Sequence, residues 1–493
     1  MPIRFIPNDP MAGAGAPPPR LKAPLKDRLA GRAGFALHDP EPEGVHPPGS
    51  PGFLFWQCRE AALLTLQTWE RHGGSLRTWQ GRRRRLDLVQ NAVRQLGRPS
   101  QPNAFYDRTG FLFFESTRSG KTTLAGASTD VVAHEVGHGL LDTIRPDLWD
   151  TPFLEVNAFH EAFGDCLSLL VALGDSPTRS ALLKVGLGKR NFVETTAEDL
   201  SDAIRRIDPR HNAAVPRRAR NTLTWQLPTT LPADGGPGLL INESHSFARV
   251  FTGCFWDLLR NLLGSGRTSA ALEAATHTTA TLLVRGAATA PEDARFFQAV
   301  GRAMVLADED LHGGRHHTAI RNAFAAHGIA LGSNAMLAPV AELDGPSPTR
   351  GGPRSLSPAT RRDLKDRLGA GAHARMVVRR RDLGGESVVQ AVHQREVPLG
   401  GLSPRLKGVV ALAPEGVLVG GSGRRAAVLG AMPDASATTD EVESFVDSLL
   451  THERIDFGKK HVAPRRPVTW HSHAIRPRGG RRVLTRTRFA CGG

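Results

Sequence analysis

The stretch TDVVAHEVGHGLLD, residues 129–142, constrains this chain more than any other part of it. It is an apolar run long enough for a helix, and it carries His134 and His138 four residues apart. That spacing sets the two imidazoles one turn apart on one face, where both can reach a single metal ion. Glu135 projects beside them, close enough to act on a metal-activated water. A catalytic zinc site needs three protein ligands and an open position. The next acidic helix, NAFHEAFGDCLSLL, supplies Glu161, 23 residues after His138, and Asp165 one turn later. Glu161 can ligate, and Asp165 can hold a ligand histidine by its second ring nitrogen. Phe159, Phe163, Leu167 and Leu170 predict that this helix is mostly buried, where an unpaired carboxylate is costly; coordination removes that cost.

DVVAHEVGHGLLD followed by NAFHEAFGD resembles the zinc signature of the thermolysin-like gluzincin metallopeptidases. Two further segments agree. Asn103-Ala104-Phe105-Tyr106 followed by DRTGFLFF resembles the edge strand that binds an extended peptide in that family, and ESHSFARVFTGCFWDLL resembles the helix start presenting a catalytic histidine, here His245. The similarity runs from Phe53 to Ile329 in the family's order. It implies an α+β, two-lobed fold, with an N-terminal mixed β-sheet lobe plus active-site helix and a mainly α-helical C-terminal lobe. It further implies Zn2+ on His134, His138 and Glu161, Glu135 as general base, His245 as oxyanion donor, and Asn103 and Ala104 aligning a protein or peptide substrate.

The sequence departs from the family pattern at several positions. Trp149 replaces a tyrosine that helps bind the oxyanion; its indole can donate a hydrogen bond but cannot accept one or titrate, which leaves it a candidate oxyanion donor. His160 stands where asparagine is usual. Glu243 is the one candidate for the acid that should pair with His245, and the substrate-clamping arginine is Arg217, Arg218 or Arg220. Asp130 matches one calcium ligand of the family, but the apolar run LSLLVAL replaces the partner acids after Glu161, so calcium is doubtful.

The remaining chain divides by composition. Residues 1–50 are Pro- and Gly-rich and predict an arm or propeptide-like segment; 51–334 form the peptidase domain, 335–359 a linker, 360–458 a small α+β accessory module, and 459–493 a basic tail or hairpin. The 493 residues carry a net charge of +15, of which ten charges lie in 459–493, where there is no acid. That segment predicts an anionic partner, nucleic acid or a charged surface. If catalysis were impaired, the chain would act as a peptide-binding scaffold docked through it. The four cysteines are scattered and form no CxxC pair, which fits a reducing compartment. No secretory signal and no membrane span are expected, since the apolar runs are short. The expected location is cytoplasmic, or outside the cell without a cleavable signal, and the oligomeric state is left open.

Overall fold

The computed structural model describes residues 1–28, 31–331, 362, 376–383, 386–420, 427–429, 435–458 and 470–491. The predicted linker at 335–359 lies outside the described residues.

The N-terminal lobe is built on helix Pro51–Gly73. Ser50 caps it by accepting the Phe53 N–H, and proline occupies its first position, where no N–H is needed. Above it lies a five-stranded mixed sheet in the order Phe489–Ala490, Ala104–Tyr106, Gly110–Phe113, Arg85–Val89, Gly34–Leu37. The pairs 34–37 with 85–89 and 85–89 with 110–113 are parallel; the other two are antiparallel.

Residues 1–50 are not the free arm that their composition predicts. Gly34–Leu37 is a strand of the main sheet, and Ile3–Phe5 pairs with Arg20–Lys22. Lys22 bonds the buried Glu60, Arg28 forms a fork on Glu70, and Ile3 and Phe5 are buried. A charge pattern spread over short, Pro-interrupted strands has no period for sequence reasoning to detect.

Helices Thr129–Ile144 and Leu154–Gly174 cross behind this sheet, joined by a 3-10 turn at Pro146–Asp150. They meet at glycines: a Cβ on Gly137 would lie 3.0 Å from the Gly164 Cα. Among the described residues, Leu154–Gly174 is long and apolar enough to cross a membrane, although the apolar runs in the sequence look short, and it is wholly buried inside the protein. The second lobe adds helices Ser244–Leu263, Ser269–Thr289, Phe296–His312 and His317–Ala326. Their common core is aromatic, with Phe159 packed edge-on against Phe251 and Phe296, and Phe247 stacked on Phe297. This is the two-lobed mixed α and β architecture expected of a thermolysin-like peptidase.

The C-terminal region forms a second mixed sheet, with Met376–Leu383, Glu386–Pro398, Val409–Gly420, Arg481–Arg486, His473–Arg478 and Ile455–Asp456 in that order and helix Ala435–Thr451 beside it. It packs on the helical lobe, where Asn242 bonds Ser444, Glu441 pairs with Arg295, and His452 reaches the Ala233 carbonyl. Among the described residues of the basic end, 473–478 and 481–486 form a hairpin, and from it the chain runs on into the sheet of the other lobe.

Candidate metal centre and cleft

The helical spacing that made His134 and His138 neighbours holds in three dimensions: their rings stand 4.7 Å apart. Ser128 caps the start of this helix by accepting the Val131 N–H. Near its end, Asp142 accepts bonds from the Tyr106 hydroxyl and from Arg108, each at 2.9 Å, which clamps the edge strand Ala104–Tyr106 to the motif helix.

The close glycine contact brings Leu154–Gly174 near enough for Glu161 to face both histidines. One oxygen of Glu161 lies 3.1 Å from His134 Nε2, 3.5 Å from His138 Nε2 and 3.0 Å from His245 Nε2. Donor atoms of His134, His138 and Glu161 all fall within 4.8 Å of one another, and all three side chains are buried. Both carboxylate oxygens of Glu135 and both ring nitrogens of His138 are buried without a hydrogen-bond partner. Orphaned buried polar atoms of this kind are costly. Two imidazoles and a carboxylate, with an acid beside them, make a donor set that fits Zn2+.

Asp165 accepts from His134 Nδ1 at 2.9 Å, which presents Nε2 to the centre. Arg217 donates to Asp165 from Nε at 2.9 Å and Nη2 at 2.8 Å. Arg218 and Arg220 instead bond Glu194, so packing separates the three candidate arginines. Glu243 lies 2.9 Å from His245 Nδ1 and is its acidic partner.

The electrostatics follow from these contacts. Burial, reinforced by Glu161, pushes Glu135 up to about 8. Burial alone would lower His134, but the Asp165 and Glu161 carboxylates outweigh it and raise that ring to about 9. Burial lowers His138 to about 4. For His245 burial is outweighed by Glu161 and Glu243, which raise it to about 10. Glu161 is held well below the usual carboxylate range, because the facing imidazoles overcome its burial. A dication at this position would take over the charge that the imidazoles now share.

One sequence expectation changes. Trp149 is not directed at a reacting centre: its Nε1–H is donated to the Arg486 carbonyl at 3.1 Å, and one indole N–H serves one acceptor. His160 is a fully buried ring stacked 4.1 Å from Phe489, with no hydrogen bond to either nitrogen. Asn103 and Ala104 are buried, and the Ala104 carbonyl accepts the Cys491 N–H at 2.9 Å. Asn103 Oδ1 accepts the Ala104 N–H.

Asp130 does acquire acidic neighbours, though not after Glu161. Asp9 and Glu198 bring donor oxygens within 4.8 Å of it. Asp9 comes from the N-terminal segment, so no spacing around Asp130 could have signalled it. Sequence reasoning likewise missed Phe489 and Cys491, which stand at the cleft although more than 320 residues separate them from the ligands.

No curated protein matches the chain. Residues 108–335 match the family model of the fungalysin metallopeptidases (M36). That match spans His134, Glu135, His138, Glu161 and His245, and over these residues the chain is similar to a family of thermolysin-like zinc metallopeptidases.

Proposed function

We propose that the chain is a zinc-dependent endopeptidase with Glu135 as its general base. The observation that carries this reading is the convergence of His134, His138 and Glu161 around a carboxylate, Glu135, whose two oxygens have no other partner.

Zinc, when bound, supplies a Lewis acid and brings the pKa of water toward neutrality. The residues of this chain do the rest. His134, His138 and Glu161 hold the ion, and Asp165, itself gripped by Arg217, fixes the tautomer and tilt of His134. Glu135 accepts the proton of the attacking water and delivers it to the leaving amine. Burial raises its proton affinity, which favours holding the proton taken from water until the leaving amine receives it. His245 is kept cationic by Glu243 and donates from Nε2 to the developing oxyanion. An extended peptide adds to the edge strand at Ala104, so main-chain hydrogen bonds carry most of the recognition.

The test is product N-terminus profiling of a peptide library exposed to the zinc-loaded full chain, once with its C-terminal strand in place and once with that strand expelled by Phe489→Asp. Internal cleavage by at least one form, lost with chelator and reduced about 10²–10⁴-fold by Glu135→Gln, is the expected result. Stoichiometric zinc in both forms with no cleavage by either would overturn the reading.

A further inference from the structure

The last strand of the chain lies where a substrate would lie. Phe489 pairs with Tyr106 and Ala490 with Phe105, antiparallel, and the Cys491 N–H donates to the Ala104 carbonyl at 2.9 Å. The peptide-binding edge is therefore already occupied, by the protein's own backbone.

The occupant is anchored by more than backbone. The Phe489 ring is 1 % exposed and stacks on the metal-motif histidine His138 at 4.6 Å and 16°, as well as on His160. The Arg486 guanidinium lies over the other side of that ring at 3.9 Å and bonds Asn157 from the cleft helix. The Trp149 N–H is taken by the Arg486 carbonyl. Cys491, 1 % exposed, ends this strand with its sulfur within 4.8 Å of donor atoms on both His134 and Glu135, and 3.8 Å from Arg217 Nη2. The unpartnered oxygens of Glu135 face the same space. Cys58, Cys166 and Cys254 are buried in helices of the apolar core, so Cys491 is the one cysteine among the four that lies beside the centre, grouped with His134 and Glu135.

Thiolate is a strong zinc ligand, and a fourth protein ligand turns an open catalytic site into a closed one. We propose that Phe489–Cys491 is an internal inhibitory strand: it fills the substrate groove, and the Cys491 thiolate occupies the open position of the metal held by His134, His138 and Glu161. This rests on the peptidase reading above. On closure the S–H bond breaks and a sulfur–metal bond forms; the proton passes to Glu135, and the water of the open position leaves to solvent. Opening reverses each step, with no oxidant or reductant required. Activation then consists of withdrawing three residues from an edge strand, and it frees the Ala104 carbonyl and the face of His138 together.

The test uses the full chain loaded with cobalt(II) in place of zinc. Wild-type protein should show a sulfur-to-cobalt charge-transfer absorption that Cys491→Ser abolishes while metal stoichiometry is kept. In parallel, zinc-loaded Cys491→Ser and Phe489→Asp should cleave a peptide library faster than wild type. At sub-millimolar substrate the gain should be about tenfold or more, because a tethered competitor acts at a roughly millimolar effective concentration. Absence of the charge-transfer band in wild type, or equal cleavage by all three proteins, overturns the proposal. Release of the C-terminal tripeptide beginning at Cys491, seen by mass spectrometry of the metal-loaded wild type, also overturns it, because the strand would then be a substrate. A wild-type sulfur–cobalt band with no cleavage by any variant would instead sink the peptidase reading and leave the Cys491 ligation standing.

Discussion

Asp165 carries more than its distance from the ligands suggests. Its carboxylate is shared between His134 Nδ1 and the Arg217 guanidinium, both of which hold it ionised well below the usual carboxylate range despite burial. Asp165→Asn should weaken zinc binding about 10–100-fold, measured by competition with a chromogenic chelator, while the fold, followed by circular dichroism, stays in place. Glu243→Gln acts on the other histidine. With that facing charge gone, His245 loses its proton at lower pH, and the alkaline limb of kcat/KM should move down by about 1 unit or more. An unmoved limb would mean that Glu243 does not tune His245. At this scale the sequence was informative wherever a short period sufficed. The i, i+4 histidines and the i, i+4 acids Glu161 and Asp165 are facts of helix geometry. The choice of Arg217 over Arg218 and Arg220 is not such a fact: Arg217 and Arg218 form a two-residue strand paired with Thr195–Thr196, and alternation along it sends one side chain to Asp165 and the next to Glu194.

The working element of this molecule is a helix pair closed on glycine. A Cβ on Gly164 would lie 2.7 Å from the Nδ1 of His134, the atom that Asp165 must hold, and one on Gly139 would lie 2.7 Å from the Phe111 ring. Gly164→Ala should push the His134 ring out of register, costing about 1–3 kcal/mol of stability and a larger share of zinc affinity. Calorimetric titration of zinc into the variant, beside its thermal unfolding, separates the two losses. A variant that binds zinc like wild type would show that the ring can slide without cost. Helix positions were legible from the apolar runs: TDVVAHEVGHGLLD lies in helix Thr129–Ile144, and NAFHEAFGDCLSLL lies in helix Leu154–Gly174. The strand Arg85–Val89 gives way to a short helix Ala92–Leu96, because Asn91 caps the helix by accepting the Arg94 N–H.

Across the whole molecule, three distant segments bring Asp9, Asp130 and Glu198 together. Burial raises all three carboxyls, and the charge of Asp130 adds to it at Asp9 and at Glu198, which rises to about 8. A carboxyl with a raised folded-state pKa binds more protons folded than unfolded, so it favours the fold below that pKa and opposes it above. Between the ordinary glutamate value of 4.5 and about 8, chelator-treated protein should lose stability as pH rises. Glu198→Gln should flatten that fall and raise the midpoint of thermal unfolding at pH 8 by about 2–4 °C; an unchanged midpoint would mean that the cluster carries no net strain. By itself the sequence determined the HExxH motif, the i, i+4 acids Glu161 and Asp165 and the helices that bear them, because each depends on periods of three or four residues that the backbone enforces locally. Only the tertiary structure decided which arginine grips Asp165, which acids join Asp130, and that Phe489–Ala490 pairs with the strand Ala104–Tyr106. Those contacts join residues tens to hundreds of positions apart, and no local period encodes them: they exist only once two lobes and two sheets have packed.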